Sequence, residues 1–335
     1  MKVKLITSLI LILLGIFLPI HFSEAVAEKT LGGSLVANIN PKSPGPNEQV
    51  NINLLGYGYD INQSNIVWIL NGKQIKQGLG NKSFTFTTGT LGNLSVVGVL
   101  LTTKEGRKIV KQLTITPGLV NLVWEADTNT PDFYQGASLP TSGSQIKVLA
   151  IPQITYNGEI IPTQNLVFNW KKDYKNLVQE SGLGKNFIEF TANNYPNEHT
   201  IEVSVEYPKL ADVFYKKITI PLTTPKIIVY PYEPLFGIIE SNPIKSTYIV
   251  SKGEESFKAE KYFFANGEKN IDLSWFINDK PITIGNKSND ILNTKIDIPT
   301  EGKVRVNLKV FNLLKQIPET KLEFNLVLDK EYFNF

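Results

Sequence analysis

Catalysis needs groups that titrate, coordinate or attack, and this chain supplies few of them. It has no cysteine and two histidines, His21 and His199. His21 falls in an N-terminal segment expected to be removed, which leaves His199, at the start of a strand beside Asn197 and Glu198. Thiol–histidine sites and histidine metal clusters are therefore excluded by count. A serine nucleophile would need a base to activate it, and no G-x-S-x-G elbow accompanies His199. As a lone turn histidine, it is expected to be a solvated surface residue. Carboxylates remain. Glu125, Asp127 and Asp132 cluster in one segment, and two such acids suffice for glycoside hydrolysis. Together with Asn129 they could offer hard oxygens to calcium, but their spacing fits neither an EF-hand nor an RTX-type repeat. A solvated acidic loop is the expectation. The glycine-rich GLGNKS (78–83) and GLGKNF (182–187) have no helix after them, so they are expected to be tight turns, not phosphate cradles. No catalytic residue, cofactor or metal site is assigned, and the chain is expected not to be an enzyme.

The N-terminus reads MKVK, then LITSLILILLGIFLPI, then the small-residue site Ala25-Val26-Ala27. A basic start, an apolar core and a small-residue site make a secretory signal peptide, residues 1–27. Cleavage is expected after Ala27, with Ala25 the next choice. The apolar run is short for a bilayer span; kept uncleaved, it would be the membrane contact of the chain. The expected location is exported: secreted, periplasmic or at the cell surface. The remaining 308 residues carry 32 basic and 30 acidic side chains with no basic stripe, so nucleic acid is not an expected partner. Without cysteine, an exported chain must hold itself together by packing, which units of about 100 residues can do.

The elements that would position any site are strands. Short apolar/polar alternations recur between Gly, Pro, Asn and Asp, as in TIEVSVEY (200–207) and KVRVNLKV (303–310). Trp68, Trp170 and Trp275 recur about one domain length apart, in NIVWILNGK, NLVFNWKKD and IDLSWFINDK. The residues two and four before each Trp are apolar: Ile66, Phe168 and Leu166, Leu273 and Ile271, with Ser64 the exception. A glycine turn follows each, GLGNKS, GLGKNF or IGNKSN, and then another alternating strand. Such a period means one unit copied in tandem. Asn71-Gly72 and Asn278-Asp279 mark hairpin turns, while Pro117-Gly118 and Thr223-Thr224-Pro225 mark unit ends. The expected order is a leader (28–32), units at 33–117, 118–223 and 224–329, and a tail (330–335). One strand is odd: LSVVGVLL (94–101) is apolar on both faces and should be covered on both sides or touch a neighbouring domain.

Short antiparallel strands with a buried Trp on a central one are the pattern of an immunoglobulin-like sandwich. The chain resembles the tandem bacterial immunoglobulin-like and PKD-type domains of secreted and surface proteins. Apolar residues such as Val203 and Val306 stand where antibody-type domains have their disulfide. The resemblance implies an all-β chain of three tandem sandwiches acting as spacer, adhesion module or assembly part. Aromatics concentrate near the unit boundaries in WEADTNTPDFYQG and VYPYEPLFG: Trp124, Phe133, Tyr134, Tyr230, Tyr232 and Phe236. They are expected to plug the seams between units; exposed, they would form a sugar-stacking platform. The expected function is a non-enzymatic structural or interaction protein at the envelope, with envelope or surface proteins as partners. A carbohydrate-binding adhesin, with glycan as partner, is the alternative.

Overall fold

The computed structural model describes residues 34–193, 195, 197–250, 254–265, 271–284, 289–295, 303–312 and 320–328. The expected signal peptide, leader and C-terminal tail lie outside the described residues, as does most of the third glycine turn, 285–288.

The strands build three sandwiches. In the first, β1 (Ser34–Asn40), β2 (Gln49–Tyr57) and β5 (Ser83–Thr87) face β3 (Asn65–Leu70), β4 (Lys73–Leu79), β6 (Ser95–Thr102) and β7 (Lys108–Ile115). The sheet orders are β1-β2-β5 and β4-β3-β6-β7. The second repeats this plan with β8 (Leu119–Asp127), β9 (Gln145–Gln153), β12 (Val167–Lys172), β13 (Lys175–Leu183), β14 (Phe187–Thr191), β15 (Glu198–Glu206) and β16 (Val213–Pro221). Its sheets run β14-β9-β8 and β13-β12-β15-β16, with a small hairpin of β10 (Thr155–Tyr156) and β11 (Glu159–Ile160) between. The third has β17 (Lys226–Glu233), β18 (Gly237–Ile238), β20 (Glu254–Tyr262) and β23 (Ile291–Lys295) on one side. On the other lie β19 (Thr247–Val250), β21 (Ile271–Ile277), β22 (Lys280–Ile282), β24 (Lys303–Asn312) and β25 (Thr320–Leu328), where β19 joins β25 in parallel. Three strands packed on four, crossing between sheets, is the immunoglobulin-like arrangement. Pro117-Gly118 lies between β7 and β8, and Thr223–Pro225 between β16 and β17.

The tryptophan repeat has a mechanical cause. Trp68, Trp170 and Trp275 are at most 1% exposed at the centres of their cores. Each indole N–H donates to a backbone carbonyl of the following glycine turn: Asn81 (2.7 Å), Lys185 (2.8 Å) and Asn289 (2.9 Å). A buried indole must find an acceptor, and these turns supply it. Gly80 (φ +65°) and Gly184 (φ +71°) hold left-handed backbone, and their N–H groups bond back to the carbonyls of Ser64 and Leu166. Ser64, the exception in the apolar pattern, is fully buried because its hydroxyl donates to the Asp60 carbonyl at 2.8 Å. Val203 and Val306 are also buried.

β6 departs from expectation. Its inner residues Val97, Val99 and Leu101 are buried, but its outer face, with Val96, Gly98 and Leu100, is partly exposed, and none of the described residues covers it.

Candidate functional site

The six boundary aromatics do not share one environment. Phe133 and Tyr134 lie in the long connection between β8 and β9 and reach forward onto the third unit. There they meet Tyr230, Tyr262 and Phe263 in a cluster separate from the sandwich cores. The rings pack edge to face: Phe133 on Tyr230 at 5.6 Å and 82°, Tyr134 on Tyr262 at 5.7 Å and 89°. The Tyr230 and Tyr262 hydroxyls are hydrogen-bonded at 2.8 Å. Burial, followed by that bond, pushes the Tyr262 phenol well above its ordinary range.

Asn129 completes this joint. Its amide donates to the Lys261 carbonyl (3.0 Å) and its side-chain oxygen accepts from the Phe264 N–H (2.8 Å). Its backbone donates to Phe264 O and accepts from Phe263 N–H, while Thr128 pairs with Ala265 in an isolated bridge. Phe263 holds φ +62°, a strained setting for a bulky residue, which the surrounding joint maintains.

Three of the six sit otherwise. Trp124 packs half-buried on the core of its own unit, because it alternates inward with Leu122 on β8. Tyr232 is half-buried in the β17–β18 hairpin. Phe236 lies at the tip of that hairpin and is 83% exposed beside Leu235. The segment WEADTNTPDFYQG thus lies within the second unit and serves its joint to the third.

The joint between the first and second units is more polar. Thr116 donates its hydroxyl to Asp212, the Gly118 N–H donates to Pro44 O (3.2 Å), and the Lys42 ammonium sits 3.9 Å over the Tyr215 ring. Burial raises the Asp212 carboxyl above its ordinary value, against the opposing hydrogen bonds from Thr116. Gly118 abuts Phe214, where a Cβ would lie 2.2 Å from a ring carbon.

His199 is completely buried, contrary to the surface residue expected from its turn-like neighbours. Its Nδ1 lies 2.8 Å from Asp173 Oδ2, its Nε2 accepts from Asn193 N–H at 3.4 Å, and its ring meets Phe190 edge-on. Lys172 pairs with the same carboxylate at 2.8 Å. Partial burial alone would raise the Asp173 carboxyl; bonds from Lys172, His199 and the Thr200 N–H outweigh it and hold the group below its ordinary value. Asp173 and Tyr174 both have positive φ (49° and 65°), forming the turn that Asn71-Gly72 and Asn278-Asp279 make elsewhere. In all three copies the first turn residue grips the next strand through a side-chain oxygen: Asn71 on Val96 N–H, Asp173 on Thr200 N–H, Asn278 on Arg305 N–H. The cluster is therefore a turn clamp, and among the described residues the partners of His199 are Asp173, Asn193 and Phe190, none of them a serine. The sequence signal that would have found it is the register of Asp173 with Asn71.

Glu125 and Asp127 project from the outer face of β8 toward Lys147 and Glu189, which form an ion pair at 3.4 Å. Asn129 is committed to the third unit, which takes it out of the oxygen set that calcium would have needed.

No protein-family profile matches the chain, and no curated protein does. Among solved structures it is similar to the fibronectin(III)-like modules of Clostridium thermocellum CbhA, at 11% identity over 56% of this chain and 94% of that one, TM-score 0.25. It is also similar to the three N-terminal domains of the bacteriophage RB49 outer capsid protein Hoc (10%, 89% and 98%, 0.24) and to the central fibronectin-III array of RIM-binding protein (10%, 88% and 97%, 0.28). At these identities and scores nothing about activity or partners passes to this chain.

Proposed function

We propose that the chain is an exported, non-enzymatic structural or interaction protein, a rod of three PKD-like sandwiches that spaces or assembles other components at the cell envelope. The observation that carries this reading is the joint between the second and third units. Aromatic area and a fourfold-bonded asparagine are spent on orienting two sandwiches, not on lining a cleft. A linker of this kind transmits position, which is what a spacer needs. The alternative sugar platform needs several exposed, coplanar rings. Phe133, Tyr134 and Tyr230 are edge-to-face and engaged in the joint, and Phe236 stands with no ring contact among the described residues.

Cross-linking in the source cell, followed by mass spectrometry of what is attached, tests the proposal. A small, reproducible set of envelope proteins is expected. Capture of none, with binding of purified chain to cell-wall or host glycan, would contradict it.

A further inference from the structure

The outer face of the first unit's four-stranded sheet is apolar where its copies are not. Ile69, Val96, Leu100 and Val110 surround Gly98, which contributes no side chain, and leave an apolar trough of about 470 Å3. Val110 is 63% exposed. At the same place the second unit has the rows Asn169–Ser204–Tyr215 and Lys171–Glu202–Lys217, and the third has Ser274–Lys309–Lys321 and Phe276–Asn307–Glu323, in which Phe276 alone is apolar. The repeat is its own control: the sandwich tolerates a charged row here, so folding does not demand the apolar one. Exposed apolar surface kept against that background marks a contact.

A second such face lies on the opposite sheet of the second unit. Val123, Leu149 and Phe187 form one cross-strand row, with Ile151 beside it. Val123, Ile151 and Phe187 are 47%, 42% and 48% exposed. The adjoining row is Glu125–Lys147–Glu189, followed by Asp127. At the matching rows the same sheet of the first unit is polar, Asn38–Asn53 and Asn40–Asn51–Thr85, with the exposed pair Val36–Leu55 beyond them.

The units that carry the two faces differ in charge. Residues 34–117 hold eight Lys or Arg against three Asp or Glu; residues 118–223 hold eight against eleven. Lys73, Lys108 and Lys111 lie on the strands that form and flank the first trough, while Glu125, Asp127 and Glu189 border the second face around one cation, Lys147, which sits over Phe187. We propose that the two faces are halves of one contact between copies of this chain, the first unit of one copy against the second unit of the next. Pairing the first face with itself would set lysines against lysines; pairing it with the second face buries apolar area on both sides and brings opposite charges together. Such a head-to-tail contact leaves one free half at each end and therefore propagates. The inference rests on the assembly reading above and names its partner. A chain that stays monomeric would end this inference and leave the spacer intact.

Sedimentation velocity on the full chain purified after export, with Val110→Asp and Phe187→Asp variants, tests it. Both positions are exposed, and unchanged thermal unfolding confirms that the variants fold. Wild-type chain is expected to form species that grow with concentration, and each variant alone is expected to stay monomeric. An equimolar mixture of the two variants is expected to give a dimer and nothing larger, because one intact half remains on each. Monomeric wild type at the highest soluble concentration overturns the proposal. So does association that survives either substitution, or a mixture that remains monomeric.

Discussion

The two joints of this chain solve the same problem with different materials. Between the second and third units an aromatic cluster and the four bonds of Asn129 fix one sandwich on the other. Between the first and second lie a Thr116–Asp212 bond, a cation over Tyr215 and the close approach of Gly118 to Phe214, with no separate apolar cluster among the described residues. Sandwiches joined in tandem move relative to one another unless a substantial apolar interface prevents it. The difference implies stiffness at one end: the second and third units are expected to act as one arm, with the first on a more compliant joint.

The largest test of that contrast is Tyr230→Ala. It removes a buried ring and leaves the Tyr262 hydroxyl without its partner, at a cost of about 3 kcal/mol. Calorimetry is expected to show the third unit melting apart from the second. If the second and third units still melt together in the variant, as they are expected to in the wild-type chain, the cluster is not what couples them. Asn129→Ala leaves the Phe264 N–H and Lys261 carbonyl without their side-chain partner and is expected to cost about 2 kcal/mol. Faster hydrogen exchange at Phe263 and Phe264, with the second unit's core unchanged, would register it. At the other joint, Gly118→Ala forces a methyl into the Phe214 ring and should cost about 1–2 kcal/mol in the stability of the second unit, read by chemical denaturation.

The smallest effects are in pH. Asp212 titrates above its ordinary value when folded, so its contribution favours the folded joint in acid and is lost as pH rises through that raised value. Asp173 titrates below its ordinary value, so its stabilisation is present above the usual carboxylate range and is lost as pH falls below about 4. Asp212→Asn and Asp173→Asn are expected to remove these opposite slopes from thermal unfolding measured across acidic pH. Slopes of the same sign would show that the two carboxylates do not sit as described.

Much of this was legible in the sequence because it repeats locally. Trp68, Trp170 and Trp275 each need a carbonyl 13 to 15 residues on, and that need prints a Trp and a glycine turn three times. Strand alternation exposed the sandwich plan for the same reason. The joints were harder to read. Trp124 and Phe133 share one aromatic segment, yet one packs on its own core and the other reaches the next unit, because the chain leaves β8 between them. His199 looked solvated beside Asn197 and Glu198, but its strand alternation turns it inward onto Asp173, 26 residues away. Contacts across such separations leave no periodic trace.

The claim that one joint is fixed and the other compliant is tested most directly by distances between paired spin labels. The chain has no cysteine, so single cysteines introduced at Lys73, Lys175 and Lys280 label the equivalent exposed turn position of each unit cleanly. A narrow distance distribution is expected between 175 and 280 and a broader one between 73 and 175. Equal widths, or a broader spread across the aromatic joint, would contradict it.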